Sequence, residues 1–322
     1  MLPDFRRSWE KDVEASATRL RETIDGLRQE VEELRTTQTG LLVAELDRRD
    51  SPRLEAARSQ LDLGKVRAHV AAAIQRASVE RHPTPHLVVD KILPDDVYEL
   101  LLQTMPPQAL FSRHDPLKQD FEMEGLPGAP RLAAFTWGFF DQQVVAEMVT
   151  PLLLERFGDA VARHYSGGGA PAFGQQAAVI GHRSFAGRIQ LRRPGYALQP
   201  HLDPKRVVIT GLFYFARPGD SEAYGTQLFE VDRPFVSAGL KTYFPENHGL
   251  RCTLARTVPF RPNAMFAFIN SGAAHGAVLP ADASLKERHA YQFYVKPDDG
   301  ELKQLLRGLP DDARAPWVEF LD

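Results

Sequence analysis

The sequence predicts an α+β fold, with helices in its first half and a sandwich or jelly roll of short strands in its second. Three observations predict it. From Ser8 to Arg49 the chain has no Pro and places Val13, Ala17, Leu20, Ile24, Leu27, Val31, Leu34 and Leu41 at alternating steps of four and three. That is a heptad seam on one long helix, interrupted by Gln38. From Ala177 onward the texture changes to short strand-like runs separated by Gly, Pro, Asp and Asn, the pattern of an antiparallel sandwich or barrel. Finally, 322 residues with 43% hydrophobic content can bury a sizeable core.

The elements follow in order. Residues 1–50 form the coiled-coil helix, for which self-association as a homo-oligomer is expected, the alternative being a helix folded back on the rest of the chain. Asp50-Ser-Pro-Arg53 breaks it, and Leu54 to Glu80 resumes with Ala-rich helix formers, giving a connecting segment over 51–82. His82 and His86 are four apart, but the prolines between them exclude the helix that would bring them together as metal ligands. Pro94-Asp-Asp starts a short amphipathic helix. Residues 107–135 read as irregular, a candidate substrate loop. Phe140 to His164 reads as helix and Ser166 to Pro171 as a Gly-rich break. That break lacks the Lys-Ser/Thr of a phosphate loop. Strands are expected at 177–180, 187–191, 207–215, 226–230, 253–259, 264–269 and 288–295, and residues 299–322 should form a peripheral helix.

A net charge of −3 gives no reason to expect nucleic acid as a partner. The one cysteine, Cys252, cannot form an internal disulfide. No apolar run approaches the ~20 residues that span a bilayer, and residues 1–10 carry no apolar leader core, so no membrane partner and a cytoplasmic location are expected.

Chemistry concentrates in Arg193-Pro-Gly-Tyr-Ala-Leu-Gln-Pro-His-Leu-Asp-Pro204. In extended backbone His201 and Asp203 point to one face, where an imidazole and a carboxylate can share a metal ion. His275, following the apolar run Asn263 to Asn270 and a turn at Ser271 to Ala274, is the candidate third ligand of a 2-His-1-carboxylate set. Arg188, Gln190 and Arg192 share one face of a strand, either interior and ready for an anion or solvated. Arg288 opens an aromatic strand, and a buried Arg there would want an anion; Lys286 lies two residues earlier on the same expected face.

Taken in order, these residues resemble the Fe(II)- and 2-oxoglutarate-dependent dioxygenases, in particular the prolyl-4-hydroxylase-like branch, over roughly residues 83–297. Pro85 to Pro94 is similar to the strand and helix that begin these domains, Arg193 to Pro204 to their Pro-Gly and His-x-Asp segment, and Tyr224 to Phe229 to their Gly-Gly-x-Leu. The resemblance implies a double-stranded β-helix over 83–298, iron held by His201, Asp203 and His275, and 2-oxoglutarate held through its C5 carboxylate by Arg288, with Lys286 as fallback. It also implies hydroxylation of a C–H bond in an unidentified organic or protein substrate, release of succinate and CO2, and ascorbate as an optional reductant. Two departures stand out: Arg193 where the family often has Tyr, and Thr226 where it usually has a second Gly. The same ligands would also suit a zinc hydrolase, and a coiled-coil protein with a non-catalytic jelly-roll binding module is the third reading.

Overall fold

The computed structural model describes residues 2–112, 114–166, 180–233, 241–309 and 311–321. The expected break over 166–171 and the strand expected at 177–180 lie largely outside them. The chain divides into two compact units, Met1–Ser51 and Pro52–Asp322. The first is one helix, α1 (Leu2–Asp50). No described helix is long and apolar enough to cross a membrane.

In the second unit the connecting segment is two helices, α2 (Arg53–Gln60) and α3 (Leu63–Arg76), rather than one. The break has a local cause: Asp62 caps α3, its carboxylate accepting from the Lys65 N–H at 2.7 Å, which ends α2 before it. Next come β1 (His86–Val89), α4 (Asp95–Gln103) and β2 (Lys118–Glu122). A helical run follows, with α5 (Arg131–Phe139), a π-helical stretch Phe140–Val149 and α6 (Thr150–Phe157), and then α7 (Asp159–Ser166). The β-rich half holds β3 (His182–Arg192), β4 (Ala197–His201), β5 (Ile209–Phe215), β6 (Gln227–Val231), β7 (Cys252–Thr257), β8 (Pro262–Ile269), β9 (Ala273–Val278) and β10 (Arg288–Pro297).

These strands form a six-stranded sheet ordered β1-β8-β5-β10-β3-β2 and a four-stranded sheet ordered β4-β9-β6-β7, antiparallel throughout. The chain winds between the sheets so that β3 and β10, first and last of the wound strands, lie side by side. That is a double-stranded β-helix, or jelly roll.

The large sheet is covered on both faces, so its central strands β5, β8 and β10 are buried over nearly all their length. On β5, Ile209, Phe213 and Phe215 join the helix-side core with Trp137, Phe140, Val144 and Ile74, while Leu212 and Tyr214 join a smaller core between the sheets. Tyr291, Phe293 and Val295 do the same on β10. The alternation sends Arg288, Ala290, Gln292 and Tyr294 to the inner side, and Ile189 and Leu191 on β3 likewise leave Arg188, Gln190 and Arg192 facing inward.

Three expectations change here. Residues 107–135 hold β2, paired with β3, and the start of α5; β2 reads Lys-Gln-Asp-Phe-Glu, an edge strand whose charges hide its two buried positions, Gln119 and Phe121. The turn expected through Ala274 ends earlier, because β9 begins at Ala273. The C-terminal segment is more than peripheral: α8 (Asp299–Arg307) buries Leu302 and Leu306, and Trp317 and Phe320 are buried after it.

Candidate metal centre

His201 closes β4, and a register shift in the β4–β9 ladder sets it directly opposite His275. Pro200 and Pro204 flank the turn that returns Asp203 to the same point. Asn270 fixes that turn: its Oδ1 accepts from the Asp203 N–H at 3.1 Å, and its Nδ2 donates to the carbonyls of Asp203 and Val207 at 3.0 and 3.1 Å. The three side chains are buried and offer ligand atoms that all lie within 4.8 Å of one another. His201 Nε2 is 4.0 Å from Asp203 Oδ1, and His275 Nε2 is 3.5 Å from Asp203 Oδ2. The 4.0 and 3.5 Å separations are of the size that one ion about 2.1 Å from each atom spans, up to ~4.2 Å, and two imidazoles with a carboxylate are a donor set suited to a single metal. His201, Asp203 and His275 are thus brought together as the sequence predicts.

The geometry also prepares the donors. His201 Nδ1 faces the Gln199 carbonyl at 2.9 Å, so a proton on Nδ1 leaves the Nε2 lone pair free. Burial, reinforced by the neighbouring His201, pushes the His275 pKa down to about 3, so this imidazole is neutral and able to ligate. Asp203 is held from both sides: Oδ2 accepts from Thr210 Oγ1 at 2.6 Å and Oδ1 from the Tyr294 hydroxyl at 3.1 Å. Carboxylate ligands are usually oriented in this way. Burial, then the Asp203 charge, raises the Tyr294 phenol and keeps it a donor.

Sequence reading missed Thr210, Tyr294 and Asn270. Only Tyr294 had a legible signal, since it lies six residues after Arg288 and so on the same strand face.

The metal-ligand cluster opens on a cavity of about 240 Å³ whose wall includes Arg188, Gln292, Tyr294 and Arg288. Arg288 is 4% exposed. Its Nε donates to the Tyr224 carbonyl at 2.7 Å, and its guanidinium lies 5.4 and 5.2 Å from the ring centres of Tyr214 and Phe260. Nη2 is buried without a hydrogen-bond partner. Burial lowers the pKa of this guanidinium from its ordinary value. Lys286, the fallback, is exposed and does not line the cavity.

The two departures now have physical accounts. Arg193 does not line the cavity and ties together the loops that lead into β2 and β10, donating to the Pro116 carbonyl at 2.7 Å and pairing with Glu287 at 2.9 Å. Gly225 is required, because a Cβ there would strike the Val258 carbonyl. Thr226 meets no such limit and exchanges hydrogen bonds with the Tyr214 hydroxyl at 2.8 and 3.1 Å. His82 and His86 are separated in use: His82 pairs with Glu230 at 2.7 Å, while His86 is buried against the Thr84 carbonyl at 2.8 Å.

No family model matches the chain, and no curated protein matches it. Solved structures do. It is similar to a prolyl-4-hydroxylase from Pseudomonas putida, at 14% identity over 71% of this chain and 98% of that one, with a TM-score of 0.40. A prolyl hydroxylase from Trichoplax adhaerens, solved with a peptide fragment of the hypoxia inducible factor oxygen degradation domain, gives 14%, 73%, 91% and 0.40. HygX from Streptomyces hygroscopicus, solved with nickel, 2-oxoglutarate and hygromycin B, gives 13%, 66%, 83% and 0.39.

Proposed function

We propose that this protein is an Fe(II)- and 2-oxoglutarate-dependent dioxygenase that hydroxylates a C–H bond. The observation that carries the reading is Arg288, a buried cation with an unused N–H pair, in the same cavity as a His-Asp-His cluster with metal-ligand spacing. His201, Asp203 and His275 would hold the iron, leaving positions open on it. Arg288 would hold the distal carboxylate of 2-oxoglutarate, for which a planar guanidinium fork is suited. With Fe(II) and 2-oxoglutarate bound there, dioxygen would be the oxidant, one of its atoms going to the substrate C–H and the other to succinate as 2-oxoglutarate loses CO2. Thr210 and Tyr294 would keep the Asp203 carboxylate aimed at the ion, and Leu198, Leu212 and Phe244 give the cavity part of its wall in apolar side chains.

The zinc-hydrolase reading has less support. It needs a general base, and the cavity's carboxylates are Asp203, a ligand, and Asp120, which is paired with Arg192 at 2.8 Å.

The charge inventory bears on the substrate. Lys118, Arg188, Arg192 and Arg288 line the cavity against Asp120 and Asp203. With Arg192 on Asp120, Asp203 on the metal and Arg288 on 2-oxoglutarate, Arg188 and Lys118 remain for an anionic group of the substrate. Arg188 donates to Gln292 Oε1 and Tyr294, and the nearest acid, Glu122, is 3.9 Å away.

The test is succinate formation from 2-oxoglutarate by purified protein with Fe(II), ascorbate and oxygen. Turnover by wild type that is absent from His201→Ala supports the reading; equal succinate from both contradicts it. Adding acidic and neutral metabolites to the same assay addresses the substrate class, and stimulation by neutral compounds alone would contradict an anionic substrate.

A further inference from the structure

The sequence feature left without a role is the seam on α1. Among its described side chains none is buried. In water most helices are held together by tertiary packing of an apolar face, and the described side chains of this 49-residue helix leave theirs open to a partner. Its large apolar residues are nonetheless ordered: Leu20, Ile24, Leu27, Val31, Leu34 and Leu41 are between 39% and 70% exposed and lie on one stripe. Reading the three-residue steps as a to d places Ala17, Ile24, Val31 and Gln38 at a, and Leu20, Leu27, Leu34 and Leu41 at d.

That distribution selects an occupant for the face. β-Branched residues at a with Leu at d suit two parallel strands, whereas Ile at both positions favours three or more. The flanking charges agree. Positions e are Glu14, Arg21, Arg28 and Arg35, and positions g are Ser16, Thr23, Glu30 and Thr37. Two parallel copies bring g of one against the next e of the other, giving Ser16 with Arg21, Thr23 with Arg28, and an attractive Glu30 with Arg35. An antiparallel pair brings e against e, Arg upon Arg. Gln38 sets the register: in step, two Gln38 amides face each other and can hydrogen-bond, while a slip of one heptad buries one against Val31 unpaired and moves the other to Glu45. The seam stops after Leu41, because the next a and d positions are Glu45 and Arg48.

We propose that α1 pairs with a second copy of this chain as a parallel, in-register, two-stranded coiled coil over residues 13–41. The pairing is independent of the chemistry of the cavity.

The experiment uses the full chain on a Cys252→Ser background, so that an introduced thiol is the only one. Leu20→Cys and Leu34→Cys, made separately at d positions near opposite ends of the seam, are oxidised and compared with Glu32→Cys at an outer position. Both d variants should form a disulfide-linked dimer and the outer one should not. Light scattering should give twice the 36.0 kDa chain mass for the uncrosslinked protein, falling by half in Leu27→Lys. A mass of one chain or of three overturns the proposal. So does a doubled mass in which neither d thiol crosslinks, the result an antiparallel pair would give.

Discussion

The two strands of the β3–β10 ladder treat a buried cation at the cavity in opposite ways. Arg192 and Arg288 are direct partners in the ladder, and they are 3% and 4% exposed. On the β3 side, Arg192 is paired with Asp120 at 2.8 Å and donates to the Gln119 and Leu191 carbonyls at 2.9 and 3.0 Å. On the β10 side, Arg288 has one carbonyl and two aromatic faces, with Nη2 unused. The first arrangement has an acid within the chain, although the paired Asp120 Oδ1 itself makes no hydrogen bond. The second costs desolvation that no acid offsets, which is what a group kept for an external anion looks like.

The largest effect that can break this comparison is on stability. Asp120→Ala leaves Arg192 buried without its acid and should cost about 3–5 kcal/mol in chemical denaturation. Arg288→Met removes a charge that has no acid and should leave stability unchanged or raise it; equal destabilisation by both would erase the distinction. Next is the support of Asp203. Thr210→Val keeps the shape but removes the 2.6 Å donor, and should weaken metal binding about 10–100-fold, measured by titration with Fe(II) or Mn(II) without oxygen. A smaller effect comes from two buried histidines outside the cavity. Burial pushes His164 and His289 down to about 4. Both are neutral when folded, and the unfolded chain protonates first, so stability present above pH ~6.5 is lost as pH falls from there toward 4. Each should contribute about 1–2 kcal/mol of loss between pH 7 and 5, and denaturation midpoints that do not move over that interval would contradict it.

How much of this was legible in the sequence depended on whether each signal was local. The heptad of α1 and the apolar runs of β5, β8 and β10 are periodic over neighbouring residues, and they were readable. So was the convergence of His201, Asp203 and His275, because His201-x-Asp203 is a short-range pattern and His275 follows a strand. The edge strand β2 was not, since its charges mask two inward positions. What could not be read is what crosses between sheets and loops: Asp120 on Arg192, Thr210 and Tyr294 on Asp203, Asn270 clamping a turn that lies 67 residues away in sequence. The choice between Arg288 and Lys286 belongs here as well. Both are cationic and two residues apart, and burial alone separates them: the guanidinium enters the cavity and the ammonium stays in solvent.

That separation gives the most direct measurement: binding of 2-oxoglutarate to the metal-loaded protein, compared among wild type, Lys286→Ala and Arg288→Met. Wild type should bind. Lys286→Ala should agree with it within about twofold, as expected for an exposed charge, and Arg288→Met should lose on the order of 100-fold, as expected when a buried charge partner is removed. An Arg288→Met protein that binds 2-oxoglutarate as tightly as wild type would contradict the assignment of the unpaired guanidinium as the co-substrate anchor, and with it the observation on which the oxygenase reading stands.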